Sequence, residues 1–320
     1  MSVSPLLEVT DLRVAFGATT VLSGVSFHLD AGETLALLGE SGCGKSVTAQ
    51  AVMGLLDPPA RVGGAVRLRG ADLQQMPERE RRRVRGREIA MVFQDALSAL
   101  NPVFTVGYQI AETLRVREGL SRRAALAGAV ELMDQVRIPA ARDRVHDYPH
   151  QFSGGMRQRV TIAMALALDP AVLIADEPTT ALDVTVQAQL LDLLAELRRE
   201  RRMALLLITH DLGVVAEVAD RIAVMYAGRI VEHADVGSLF RAPAHPYPAA
   251  LLSTAAVDGV PIEGAPPDLA DPPPGCAFAP RCRYARDVCR TSEPSIVDLG
   301  GGRRSACHFA REVLVDSAAR

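Results

Sequence analysis

Lysine is almost missing from this 320-residue chain: of its 35 basic residues, 34 are arginine and one is Lys45. Any role that needs an ammonium group is therefore confined to a single position. Long apolar runs are missing too. Crossing a bilayer takes about 18 to 20 apolar residues, whereas stretches such as Ala204 to Ile208 are strand-sized and Asp169 ends the run from Ala163 to Leu168. The first residues, with Glu8 and Asp11 arriving early, lack the basic start and apolar middle of a signal peptide. A soluble, cytoplasmic chain is expected. Charge of one sign is not in excess, because 35 basic residues face 38 acidic ones for a formal net charge of -3. Global electrostatics thus favour neither nucleic acid nor an anionic membrane surface. No internal repeat is visible. Cysteine is scarce except in one window, Cys276 to Cys307, which holds four of the five. What is abundant is apolar residues, at 48%, enough for a sizeable core in two domains or in one large domain with an extension.

Hydrophobic periodicity divides the chain. Leu7 to Phe16 and Val21 to Leu29 alternate apolar and polar residues, the pattern of half-buried antiparallel strands. Thr34 to Leu38 is a short continuous apolar run that enters a glycine-rich loop, and Ser46 to Leu56 follows with helical spacing until Pro58 and Pro59. Further buried strands are expected at Ile89 to Phe93, Val172 to Ala175, Ala204 to Ile208 and Ile222 to Tyr226. Val186, Leu190, Leu193, Leu194 and Leu197 lie on one helical face. Strands alternating with helices imply a largely parallel, covered sheet, an α/β fold. Thr105 to Ala167 reads as helical throughout, an insertion between strands. Nine of the twenty prolines lie between Arg241 and Gly275, which reads as a wrapping linker ahead of a small cysteine-bearing module. The run from Arg79 to Glu88 could mark a nucleic-acid patch. Glu78, Glu80 and Glu88 dilute its charge and no aromatic platform accompanies it, so it reads as a solvated helix face.

Gly39-Glu-Ser-Gly-Cys-Gly-Lys-Ser46 matches G-x4-G-K-[ST] between a buried strand and a helix, the context that a phosphate-binding loop requires. Gly39, Ser41, Gly42, Cys43, Gly44 and Val47 are the expected nucleotide-binding positions, where the glycines let backbone N–H groups turn inward around phosphates. Lys45 adds a point charge, and Ser46 supplies a hydroxyl to magnesium. Cys43 reads as a small residue of the loop rather than a ligand. Downstream, the apolar run from Ala171 ends in Asp176 and Glu177. Asp176 at the strand end suits magnesium, and Glu177 suits acceptance of a proton from the water that attacks the γ-phosphate. His210 follows the next strand.

Phe152-Ser-Gly-Gly-Met-Arg-Gln-Arg159 resembles the signature sequence of ABC-type ATPases. With it come Gln94, similar to the Q-loop residue, Thr180-Ala-Leu-Asp183, similar to the D-loop, His210, similar to the switch histidine, and Phe16 where that family stacks an aromatic on adenine. Met156 stands where Gln is commoner. The resemblance covers about residues 6 to 235. It implies a RecA-like core with an antiparallel β subdomain and an inserted helical subdomain at about residues 96–167, ATP and Mg2+ as cofactors, and magnesium held through Ser46, Gln94 and Asp176. It further implies Glu177, His210 and Gln94 as catalytic residues, with Ser153, Gly154, Gly155 and Asp183 acting across a head-to-tail pair of ATP-binding subunits.

Beyond the cassette, His245-Pro-Tyr-Pro-Ala-Ala-Leu-Leu252, the proline-rich stretch and the cysteines resemble the C-terminal extension of oligopeptide/dipeptide importer ATP-binding subunits. Pro248 and Ala96 depart from that subfamily's usual Thr and Pro. The domains expected are residues 1–237, the ATP-binding domain, and 238–320, the extension. Cys276, Cys282, Cys289 and Cys307 are separated by five, six and seventeen residues, not the paired C-x2-C of structural zinc. The residues alone leave zinc, an iron–sulfur cluster, with His308 as a substitute ligand, and free thiols open. The resemblance implies a [4Fe–4S] cluster. It also implies two membrane-spanning permease subunits, a second and usually different ATP-binding subunit, an indirect link to a substrate-binding protein, no nucleic acid, and a peripheral place on the inner face of the cell membrane. A soluble ABC ATPase acting on nucleic acid or in cluster assembly is the alternative.

Overall fold

The computed structural model describes residues 4–180, 182–255, 259 and 261–318. The chain forms two compact units, residues 1–75 with 207–320 and residues 76–206. The first unit begins with β1 (Leu7–Phe16), β2 (Thr19–Leu29), β3 (Thr34–Leu38), α1 (Lys45–Met53), β4 (Ala60–Leu68) and β5 (Ala71–Asp72). The second contains α2 (Glu78–Val84), β6 (Ile89–Val92), α3 (Ala96–Ala99), α4 (Val106–Glu118), α5 (Arg122–Gln135), α6 (Ala141–Arg144), α7 (Gly154–Leu166), β7 (Val172–Asp176) and α8 (Val184–Arg201). Strand β8 (Ala204–Thr209) carries the chain back to the first unit. That unit is completed by α9 (Leu212–Val218), β9 (Arg221–Tyr226), β10 (Arg229–Asp235), α10 (Val236–Arg241), α11 (Pro246–Thr254), α12 (Asp287–Thr291), β11 (Val297–Gly300), β12 (Arg303–Ser305) and α13 (Ala310–Ala318).

In the first unit, β2-β1-β4-β5 make an antiparallel sheet. Alternation in β1 puts Leu7, Val9, Leu12 and Val14 inside. Strand β4 escaped the sequence reading because Gly63 and Gly64 interrupt its alternation and, of its residues, Val66 and Leu68 are buried. Strand β3, buried at all five positions, pairs in parallel with β9, as expected of a continuous apolar run. The order continues through β10, β12 and β11, all antiparallel. This antiparallel flank was not foreseen.

The flank changes the picture of the C-terminal extension. Rather than an appended module, it contributes strands β11 and β12, and it places Tyr247 and Phe278 in one core with Leu38, Val224 and Tyr226. The rings of Tyr226, Tyr247 and Phe278 lie 4.5 to 5.4 Å apart, in tilted and edge-on geometry. Glu232, fully buried on β10, accepts from the backbone N–H groups of Ala244 and His245 and from the Arg303 guanidinium. Burial pushes its carboxyl up, while those donors pull it back. One buried side chain thereby fastens the start of the proline-rich stretch and β12.

In the second unit, β6 and β7 pair in parallel. Among the described residues, 96–167 carries helices and no strand, in keeping with a helical insertion. Thr105, Ser121 and Ser153 cap α4, α5 and α7 with side-chain oxygens that accept backbone N–H groups. On α8 the buried stripe is Leu190, Leu191, Leu193, Leu194 and Leu197. Helix α2 buries no residue, and Glu78 binds Arg82 and Arg85, which makes the arginine run a solvated, internally paired face.

Candidate nucleotide site

The phosphate loop joins β3 to α1 in the first unit. Gly39 is required by close approach: a Cβ there would lie 2.3 Å from the Met225 carbonyl oxygen and 2.8 Å from Cys43 Sγ. Lys45, 5% exposed, donates from Nζ to the carbonyls of Gly39 at 2.8 Å and Glu40 at 3.0 Å, so the loop is wound around its own ammonium. Burial pushes the Cys43 thiol up, against the opposing pull of Lys45, which suits a small neutral loop residue. Ser41 and Gly42 are exposed, whereas Ser46 and Val47 are half-buried at the start of the helix. This geometry leaves a helix N-terminus and a glycine-rich turn facing an incoming anion. Phe16 ends β1 and is 36% exposed. His210, also in this unit, is exposed directly after β8, and Asp211 beside it caps α9 by accepting from Gly213 and Val214.

The other candidates belong to the second unit. Asp176 ends β7 and is 3% exposed. Glu177 follows at φ 46°, the left-handed region, a strained conformation that concentrates at functional positions. Its Oε2 accepts from Gln94 Nε2 at 3.2 Å and from Thr180 Oγ1 at 2.9 Å. The structure therefore brings Gln94 and Glu177 together, and it adds Thr180, which the sequence reading quoted only as part of a motif. Ser153 and Gly154 are exposed at the start of α7, where Ser153 Oγ accepts from the Met156 N–H. Gly155 has no room for a side chain, since its Cβ would come 2.4 Å from Val186 Cγ1. Met156 receives the Arg144 guanidinium on its sulfur at 3.4 Å. Asp183 is exposed and caps α8 through the Val186 N–H at 2.9 Å. Ala181 of the same motif lies outside the described residues.

The extension carries the four cysteines of the window. Cys276 N–H donates to the Cys289 carbonyl at 2.8 Å. Burial raises Cys276, and pushes Cys282 up to about 11 and Cys307 up to about 12, with the charge of the neighbouring thiols adding in each case. Among the described residues, no three His, Cys, Asp or Glu side chains converge closely enough to hold a metal ion. Nε2 of His308 lies 2.9 Å from the Ser292 carbonyl, and so is already engaged.

Sequence reasoning missed the surroundings of Glu40, the second residue of the phosphate loop. Its N–H donates to Tyr247 Oη at 2.9 Å, and its carboxylate receives Nη1 and Nη2 of Arg281 at 2.8 and 3.1 Å. Nothing in the sequence links positions 241 residues apart.

Comparison with known proteins identifies the family. The ABC transporter family profile matches residues 22–180, which take in the loop, the signature and both carboxylates. A profile described as the oligopeptide/dipeptide transporter C-terminal region matches residues 231–289. A dimeric, post-hydrolysis ATP-binding cassette bound to ADP and Pi superposes with a TM-score of 0.64 at 25% identity, over 72% of this chain and 98% of that one. The fold class is thus that of the ABC ATPase cassettes. The oligopeptide transport ATP-binding protein OppD of Salmonella typhimurium is 48% identical over 97% of this chain and 95% of its own length. OppD of Mycobacterium tuberculosis is 51% identical over 99% of this chain, which spans 54% of that relative's length. The chain belongs to the family of ATP-binding subunits of oligopeptide/dipeptide ABC transporters.

Proposed function

We propose that this chain hydrolyses ATP and couples the hydrolysis to import of peptides, or of related solutes such as nickel chelates. Residues 1–237 act as the ATP-binding domain and residues 238–320 as the extension. The observation that carries this reading is Glu177, placed at the end of a buried strand and held at one carboxylate oxygen by Gln94 and Thr180. A carboxylate so fixed is suited to take the proton of an attacking water.

Phe16 stacks on adenine. The N–H groups of Gly39 to Val47 and the Lys45 ammonium bind the phosphates, and His210 steadies the γ-phosphate end of the reaction. The sequence motifs assign magnesium to the Ser46 hydroxyl, the Gln94 amide oxygen and the Asp176 carboxylate, the hard oxygen donors that this ion takes. When bound, magnesium offsets phosphate charge. Ser153, Gly154, Gly155 and Asp183 serve a nucleotide held by a second ATP-binding subunit, where the exposed start of α7 offers N–H groups to the γ-phosphate. Two membrane-spanning subunits convert closure and reopening into alternating access, and a substrate-binding protein delivers the cargo. Among the described residues no helix is long and apolar enough to cross a membrane, which suits a peripheral subunit on the inner face.

We also propose that Cys276, Cys282, Cys289 and Cys307 hold a [4Fe–4S] cluster. The support is in the sequence: four of the five cysteines fall in one window of the extension, and four thiolates are the ligand set of a [4Fe–4S] cluster. The cluster would staple a proline-rich segment with little core of its own. Anaerobic purification should yield visible absorbance and bound iron; zinc, or neither metal, would overturn that assignment. For the transport reading, the tagged chain extracted from its native membranes in mild detergent should co-purify with two multi-spanning subunits. Recovery alone or with nucleic acid would refute it.

A further inference from the structure

Every polar group of Glu40 is engaged, and two of its partners come from the extension. Its carbonyl takes Lys45 Nζ, its N–H binds Tyr247 Oη, and its carboxylate is forked by Arg281. Arg281 is itself immobilised. Its side chain is 5% exposed, its Nε donates to the Glu263 carbonyl at 3.2 Å, its Nη1 reaches Tyr226 Oη at 3.3 Å, and its guanidinium carbon lies 5.9 and 6.0 Å from the ring centroids of Tyr226 and Phe278. Tyr247 is fully buried. The clamp is therefore built on the core rather than on the surface.

A carboxylate inside a loop that receives a polyphosphate is a liability, because it repels the ligand across a short distance in a partly dry site. A bidentate arginine removes that repulsion and fixes the direction of the side chain. The peptide of Glu40 is fixed as well, by Tyr247 on one side and Lys45 on the other. The orientation of this peptide sets where the Lys45 ammonium rests.

We propose that Arg281 and Tyr247 are positioning residues for nucleotide binding: acting through Glu40, they neutralise and shape the phosphate loop before the phosphates arrive, so that the C-terminal extension is part of the ATP site. This inference rests on the reading of the loop as an ATP site. Neither residue touches the nucleotide, and both act on affinity rather than on the chemical step.

The test is ADP binding by calorimetry on the full chain, with the KM for ATP measured in the assembled transporter. Arg281→Met leaves Glu40 unpaired and should weaken ADP binding and raise KM about tenfold, with kcat within about twofold. Adding Glu40→Gln removes the exposed charge and should recover most of the loss, a non-additivity that a general packing defect would not produce. Arg281→Lys, which keeps the charge but not the fork, should lose about threefold, and Tyr247→Phe a similar amount. Unchanged affinity in Arg281→Met, or an equal loss in the double variant, overturns the proposal. If Arg281→Met does not fold, Arg281→Lys and Tyr247→Phe decide, and wild-type affinity in both overturns it. A wild-type chain that binds no ADP refutes the ATP-site reading itself, a result distinct from either.

Discussion

The phosphate loop and Glu177, the proposed catalytic carboxylate, are held in opposite ways. Glu177 is fixed by Thr180, three residues on, by Gln94 and by its own backbone conformation, and the signature and D-loop residues cap the helices they precede. The phosphate loop is fixed by Tyr247 and Arg281, more than 200 residues away. The residues proposed for the reaction are thus held by local turns and caps, whereas the conformation of the phosphate loop depends on the last third of the chain having packed correctly.

Breaking the local side should give the largest effect. Glu177→Gln keeps the shape and removes the proposed base, so ATP turnover should fall about a thousandfold while ATP binding is retained. Normal turnover would take Glu177 out of its role. Gly155→Val drives a side chain into Val186, with an expected loss of about 2 to 3 kcal/mol visible in thermal unfolding.

The long-range side can be probed by pH. Burial lowers His245 to about 3 and His233 to about 4, with Arg304 also lowering the latter and the Ser26 carbonyl opposing. Both are neutral in the fold, and an unfolded chain takes up their protons first. Their contribution is therefore complete above pH about 7 and is lost as pH falls from about 6.5 toward the folded values, by up to about 1.4 kcal/mol per pH unit for each. His245→Asn, whose oxygen can still accept from the Tyr247 N–H, should flatten the melting profile between pH 6 and 4; an unchanged slope would contradict the assignment. The smallest effect is a control. Ser121→Ala removes the α5 cap and should lower stability by about 1 kcal/mol without touching nucleotide affinity.

The same contrast explains what could be read from the sequence. Alternation in β1 and β2, the buried runs of β3, β7 and β8, and the leucine stripe of α8 all follow from local periodicity, and each appears in the fold. The motifs that hold the phosphate loop, Glu177 and Ser153 were legible because each is a run of contiguous residues, and the family profile matches the segment that contains them. Strand β12 was not, since three residues directly after a run of glycines carry no period and gain their identity from pairing with β10. Arg281 was hidden for a related reason: one arginine among 34 has no local mark of its partner.

The late return of β12 also bears on how the chain is made. A ribosome delivers β10 some seventy residues before the segment that pairs with its outer edge, at Glu232 and His233. During that interval a nascent chain presents an open strand edge next to a buried acid still without Arg303. Synthesis slowed between Pro243 and Pro274 would prolong this exposure, so codon usage and chaperone supply across that stretch should affect the yield of folded protein.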